Sequence, residues 1–120
     1  MSTVLLVDDN PSQLDLMVNY LRDTGHMLIR ITDAKKALTI AVEKKPDLII
    51  TDVVMPGMSG FELCRSLKNN PVTASVPIVI CSSKDQEIDR LWGMKQGAAA
   101  YLTKPFSREQ LIRTVNLAVA

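Results

Sequence analysis

The chain has 120 residues, 47% of them hydrophobic, and 14 Lys and Arg against 13 Asp and Glu give a formal net charge of +1. That length supports one domain with an unstapled core, and the hydrophobic share excludes a disordered chain. The balanced charge excludes broad binding to nucleic acid or acidic lipid, and no apolar run reaches the ~18 residues of a membrane span.

Met1-Ser2-Thr3 leads directly into an apolar run, without a basic leader, so a cytoplasmic protein is expected. Val4-Leu5-Leu6-Val7 predicts a first strand over about 3–8, running into Asp8-Asp9. Pro11 suits the first turn of a helix. Leu14, Met17, Val18 and Leu21 give that helix one apolar face, and Gly25 ends it. Residues 27–32 read as a second strand, and Arg30 within it points to a sheet edge. Ala37, Leu38, Ala41 and Val42 predict the second helix, closed by Lys44-Lys45-Pro46. The third strand, about 47–51, runs into Asp52. A loop with Pro56, Gly57 and Gly60 precedes a third helix carrying Phe61, Cys64 and Leu67. The connection 69–77 holds Pro71 and Pro77. Pro77–Cys81 is the fourth strand, with Ser82-Ser83 at its end. Asp85 is the expected N-cap of a fourth helix running to about Lys95 and stopped at Gly97. The fifth strand, about 99–102, leads past Thr103 to Lys104-Pro105. Ser107 and Gln110 have the spacing of a capping box, and Leu111, Ile112, Val115, Ala118 and Val119 give the last helix its buried face.

Regular alternation of strand and helix predicts a parallel sheet covered on both faces. With right-handed crossovers, five strands suit a doubly wound, flavodoxin-like (βα)5 fold of order 2-1-3-4-5, which puts the second strand at an edge. No linker, repeat or second domain interrupts the pattern, so residues 1–120 are expected to form one domain with no appended effector. Cys64 and Cys81 have neither metal-ligand nor disulfide spacing and read as buried reduced thiols.

In such sheets ligands bind beyond the carboxyl ends of the strands. Asp8, Asp9, Asp52, Ser82 and Lys104 all fall there. Each alone is as readily a cap or turn residue; the five together point to a site. Clustered carboxylates repel one another unless a proton or cation intervenes. Mg2+ takes oxygen ligands and keeps several waters, and Lys104 adds a point charge. Under those cations a carboxylate can attack phosphorus. Asp52, alone at the end of a central strand, is the candidate nucleophile, and the Ser82 hydroxyl is a candidate donor to a phosphoryl oxygen.

The ordered set Val7-Asp8-Asp9-Asn10, Asp52-Val53-Val54-Met55-Pro56-Gly57-Met58-Ser59-Gly60, Pro77-Ile78-Val79-Ile80-Cys81-Ser82-Ser83 and Lys104-Pro105-Phe106 resembles the two-component response-regulator receiver domains, the CheY-like family, over essentially the whole chain. The resemblance implies phosphorylation of Asp52 by a histidine kinase. It implies Mg2+ held by Asp9 directly, by Asp8 mainly through water, by Asp52, and by the backbone carbonyl of Val54. Lys104 would contact the phosphoryl group, and the Lys104–Pro105 bond would be cis. Ser82 would be the switch hydroxyl and Tyr101 the coupled aromatic, with output through the surface over the fourth helix, fifth strand and fifth helix. Arg90, Met94, Tyr101 and Arg108 are candidates for that surface, against a plain solvated-charge reading of the two arginines. A stand-alone receiver would control a protein partner or act as a phosphate sink, as a monomer that could dimerise when phosphorylated. The stretch from Lys84 through Trp92-Gly93 to Ala98 resembles single-domain receivers of type IV pilus twitching and phototaxis systems.

At two positions near the phosphate this chain is less ordinary. Val54, two residues after Asp52, is apolar, and Lys84, two after Ser82, is basic. Val54 should hinder an attacking water and slow loss of phosphate. It also argues against the alternative, a Mg-dependent phosphatase with an aspartyl nucleophile, because haloacid-dehalogenase-type enzymes need a second Asp there. A flavin-binding module of this topology would need a Ser-, Thr- and Gly-rich loop after the first strand, where Asp8-Asp9-Asn10 is acidic. His26 reads as a loop residue, Trp92 as semi-buried packing and the methionines as core filler.

Overall fold

The computed structural model describes residues 2–120. In chain order the elements are β1 (Thr3–Val7), α1 (Pro11–Leu21), a 3-10 turn (Arg22–Thr24), β2 (Met27–Ile31), α2 (Ala34–Lys44), β3 (Leu48–Thr51), α3 (Gly60–Asn69), β4 (Ile78–Ser82), α4 (Glu87–Lys95), β5 (Ala100–Thr103) and α5 (Arg108–Val119). The strands form one parallel sheet of order β2-β1-β3-β4-β5. Val7 pairs with Ile31 and Thr51, and Ser82 with Thr103, so the strands end together at one rim.

The central strands are apolar without interruption because both their faces are buried. Leu5, Val7, Ile49, Ile78 and Ile80 pack with Ala37 and Ala41 of α2 and Leu63, Cys64 and Leu67 of α3. Their strand neighbours Val4, Leu6, Leu48, Ile50, Val79 and Cys81 face the other way, onto Leu14, Met17 and Leu21 of α1 and Leu111 and Val115 of α5. Full burial of each large side chain contributes roughly 1.5–3 kcal/mol, and the resulting rigidity fixes the rim.

Arg30 lies on edge strand β2 and pairs with Asp15 of α1 at the surface. Pro11 opens α1, with the Asn10 side chain accepting from Ser12 N. Ser107 and Gln110 form the capping box of α5. Both cysteines are buried and free. Gly25, in the left-handed region, ends the 3-10 turn and not α1 itself, which stops four residues earlier. The N-cap of α4 is Gln86 in place of Asp85, because Asp89 turns its carboxylate back onto Gln86 N. Trp92 is 44% exposed, since the residue of α4 that meets the core is Gly93. Met17 and Met55 are buried, but Met27 and Met94 are exposed and fill no core. Arg108 is a tie between α5 and α1, donating from Nε to Tyr20 O at 3.1 Å. No helix among the described residues is long and apolar enough to cross a membrane.

Candidate functional site

Asp8 follows β1 and is almost wholly buried. Both its carboxylate oxygens are engaged: Oδ1 accepts from Asn10 N at 2.9 Å and Oδ2 from Lys104 Nζ at 2.9 Å. Burying a charge is tolerated where it is paired and hydrogen-bonded in this way. Asp9, next in the chain, is exposed at the mouth.

Asp52 follows β3, its backbone N donating to Val7 O at 3.0 Å, which sets it beside Asp8. One carboxylate oxygen from each of Asp8, Asp9 and Asp52 lies within 4.8 Å of the others. Lys104 Nζ stands 3.7 Å from Asp52 Oδ1 while bonded to Asp8, so a single ammonium serves two carboxylates. Burial holds the Asp52 carboxyl above its usual range; Lys104 and the Val53 N–H pull it down, and Asp8 and Asp9 push it up again. Burial wins over the one nearby cation. The carboxylate form is therefore under-compensated in the protein alone, which is the condition a second cation relieves.

Ser82, the last residue of β4, is fully buried, and its Oγ accepts from Lys84 N at 3.2 Å. A side-chain hydrogen bond also joins it to Tyr101. Lys104 N donates to Ser82 O at 2.8 Å, and the Lys104–Pro105 peptide is cis. Tyr101 on β5 donates its hydroxyl to Lys84 O at 2.7 Å. The structure thus brings Asp8, Asp9, Asp52, Ser82 and Lys104 to one rim, with Tyr101 joined through residue 84. The Val54 side chain is 59% exposed beside them.

The β3–α3 loop is pinned by Gly60, which the sequence showed as loop punctuation and as the end of a motif but with no role of its own. Gly60 N donates to Val53 O at 2.8 Å, and a Cβ at Gly60 would stand 1.9 Å from Asp52 O. Gly60 starts α3 behind the Ser59 cap and its partner Glu62. Thr51 Oγ1 donates to Asp52 O at 2.9 Å, so the backbone oxygen of the candidate nucleophile is held on one side and crowded on the other.

An all-oxygen donor set with one buried and two accessible carboxylates suits a hard divalent ion such as Mg2+. Once a divalent ion is bound, the anionic cluster, a fixed ammonium and a nearby hydroxyl can together receive a phosphoryl group.

Comparison with known proteins agrees with that geometry. The profile of the family described as "Response regulator receiver domain" matches residues 4–116. Protein PilH of Pseudomonas aeruginosa is 38% identical over 120 residues, covering 100% of this chain and 99% of PilH. The chain spans about half the length, or less, of several other curated relatives it matches, transcriptional regulators among them. Among solved structures, the Vibrio cholerae chemotaxis protein CheY4 superposes with a TM-score of 0.92 at 31% identity, over 98% of both chains. The receiver domain of the P. aeruginosa sensor histidine kinase PA1611, with magnesium coordinated in its active-site cleft, superposes with a TM-score of 0.90 at 27% identity, covering 98% of this chain and 97% of that one.

Proposed function

The chain belongs to the response regulator receiver domain family, and from that premise we propose that it carries a phosphorelay signal through one carboxylate, Asp52, phosphorylated by a histidine kinase. The observation that carries this reading is the rim where Asp8, Asp9 and Asp52 gather around Lys104 Nζ.

In the transfer, an Asp52 carboxylate oxygen attacks the phosphorus of a phosphohistidine. The P–N bond breaks, and the departing imidazole takes up a proton. Asp8, Asp9, Asp52 and the Val54 carbonyl would hold Mg2+, which supplies positive charge against the phosphoryl oxygens. Lys104 is already 3.7 Å from Asp52 and needs only to exchange part of its bond to Asp8 for one to the phosphoryl group. The Ser82 hydroxyl gives up its side-chain bond to Tyr101 and donates to a phosphoryl oxygen. The added charge, up to about −2, then biases Ser82 and Tyr101, and the α4-β5-α5 face reports the change to a protein partner; a role as phosphate sink is the other output. The chemistry is limited to self-phosphorylation and autodephosphorylation in the cytoplasm. The likeness to PilH over both full lengths supports a stand-alone receiver, in line with the resemblance to twitching-motility receivers.

The test is incubation with Mg2+ and acetyl phosphate, followed by mapping of the added mass. Label on Asp52, absent in Asp52→Asn and after chelation, is the expected result. Label on another residue, or label indifferent to chelation, overturns the reading.

A further inference from the structure

Arg90 belongs to α4, yet its guanidinium is turned onto β5. It donates to Thr103 Oγ1, and its Cζ lies 5.5 Å from the centroid of the Tyr101 ring. From Tyr101 the contacts run back to the pocket: hydroxyl to Lys84 O at 2.7 Å, then Lys84 N to Ser82 Oγ at 3.2 Å. From Thr103 they return by another route. The next residue, Lys104, donates from its backbone N to Ser82 O at 2.8 Å and from Nζ to Asp8 at 2.9 Å. Ser82, Lys84, Tyr101, Arg90, Thr103 and Lys104 therefore form a closed circuit. It leaves the pocket at the candidate switch hydroxyl and comes back at the ammonium, and Arg90 is its one member on α4. The Tyr101 ring is also confined from Gly93, where an added Cβ would stand 3.1 Å from both Tyr101 Cδ2 and Ile80 Cδ1. The ring cannot swing without loosening the guanidinium, and α4 cannot shift without pulling on both arms of the circuit.

We propose that Arg90 is a positioning residue that couples the pocket to α4 by bridging Tyr101 and Thr103. The proposal rests on the reading of Asp52 as phosphoacceptor. It gives Arg90 a role within the chain, in place of direct contact with a partner.

Trp92, the sole tryptophan, is exposed on the same helix and stacks with Lys95 at 5.7 Å. Two residues along a helix place it roughly 200° from Arg90, so replacing Arg90 removes no neighbour of the indole. Adding Mg2+ and beryllofluoride to the wild-type protein is expected to raise its thermal midpoint and to change Trp92 emission. Arg90→Ala should keep the rise in midpoint and lose the emission change. Thr103→Val, which removes only the hydroxyl acceptor, should lose it too and covers the case in which Arg90→Ala does not fold. Arg90→Lys, which keeps a cation over the ring, should recover it. A full emission change in Arg90→Ala or Thr103→Val overturns the coupling role. So does a wild-type protein that binds without any emission change, or an Arg90→Ala variant that folds but no longer binds. A wild-type midpoint that does not move overturns instead the reading of Asp52.

Discussion

At the scale of single residues, burial is what sets Asp52 apart. Its folded-state carboxyl is raised above the 3.8 of the free group, with desolvation the largest cause. Below pH 3.8 the proton is bound in folded and unfolded chains alike. As the pH rises the unfolded chain releases it first, so stability falls until the pH has passed the raised folded value. Urea denaturation of metal-free protein across that range is expected to show this fall in the wild type and a shallower one in Asp52→Asn. Gly60 is the second sensitive position. A methyl group there must displace the Asp52 carbonyl, and overpacking of this kind costs about 1–3 kcal/mol. Gly60→Ala should lower the urea midpoint and slow phosphorylation together. Val54 offers an attacking water no hydrogen bond, so Val54→Asn is expected to hasten decay of phosphorylated protein; an unchanged or slower rate would contradict the shielding role. The carboxylates and Lys104 were legible in the sequence because each follows an apolar run. Gly60 and Arg90 stood out there as a motif glycine and a surface candidate, but their contacts did not, since what defines them is a carbonyl or a ring supplied by another segment.

At the scale of elements, the continuous apolar runs of β1, β3 and β4 were readable because burial on both faces leaves no room for polar residues, and Arg30 disclosed the β2 edge. Boundaries were less readable. Ser82 lies within β4 and Thr103 within β5, each paired with the other across the ladder, and such pairing depends on the neighbouring strand. The start of α4 shows the same limit. Asp85 has the preferred cap chemistry, but Asp89 can reach back to Gln86 N at 3.2 Å, and that bond places the helix start one residue later. Asp89→Ala should therefore cost about 0.5–2 kcal/mol, as the loss of a cap does, while Asp85→Ala should fall within about 0.5 kcal/mol of wild type, as an ordinary surface change does. Urea titrations of the two variants separate these outcomes.

At the scale of the whole molecule, the alternation of elements and right-handed crossovers left only a few topologies, and the known flavodoxin-like order supplied the one observed. Packing on both faces of the sheet also seals the two thiols. Burial pushes Cys81 up to about 12 and Cys64 to about 11. Neither should react with iodoacetamide in the folded protein at pH 8, and both should react once urea unfolds it. A divalent ion that binds only the folded chain stabilises all of it, by about 1.4 kcal/mol at an ion concentration of roughly ten times Kd. Thermal melts with Mg2+ should show an upward shift that Asp9→Asn abolishes.

The bond between Asp8 and Lys104 joins positions 96 apart in the chain. A pocket built across such a distance cannot close on a growing polypeptide until β5 has left the ribosome, so a nascent copy without that strand is expected to take no label. Competence to be labelled should therefore follow closure of the sheet, and a pulse-chase of labelling during translation would show it arriving in a single step, only after β5 has emerged.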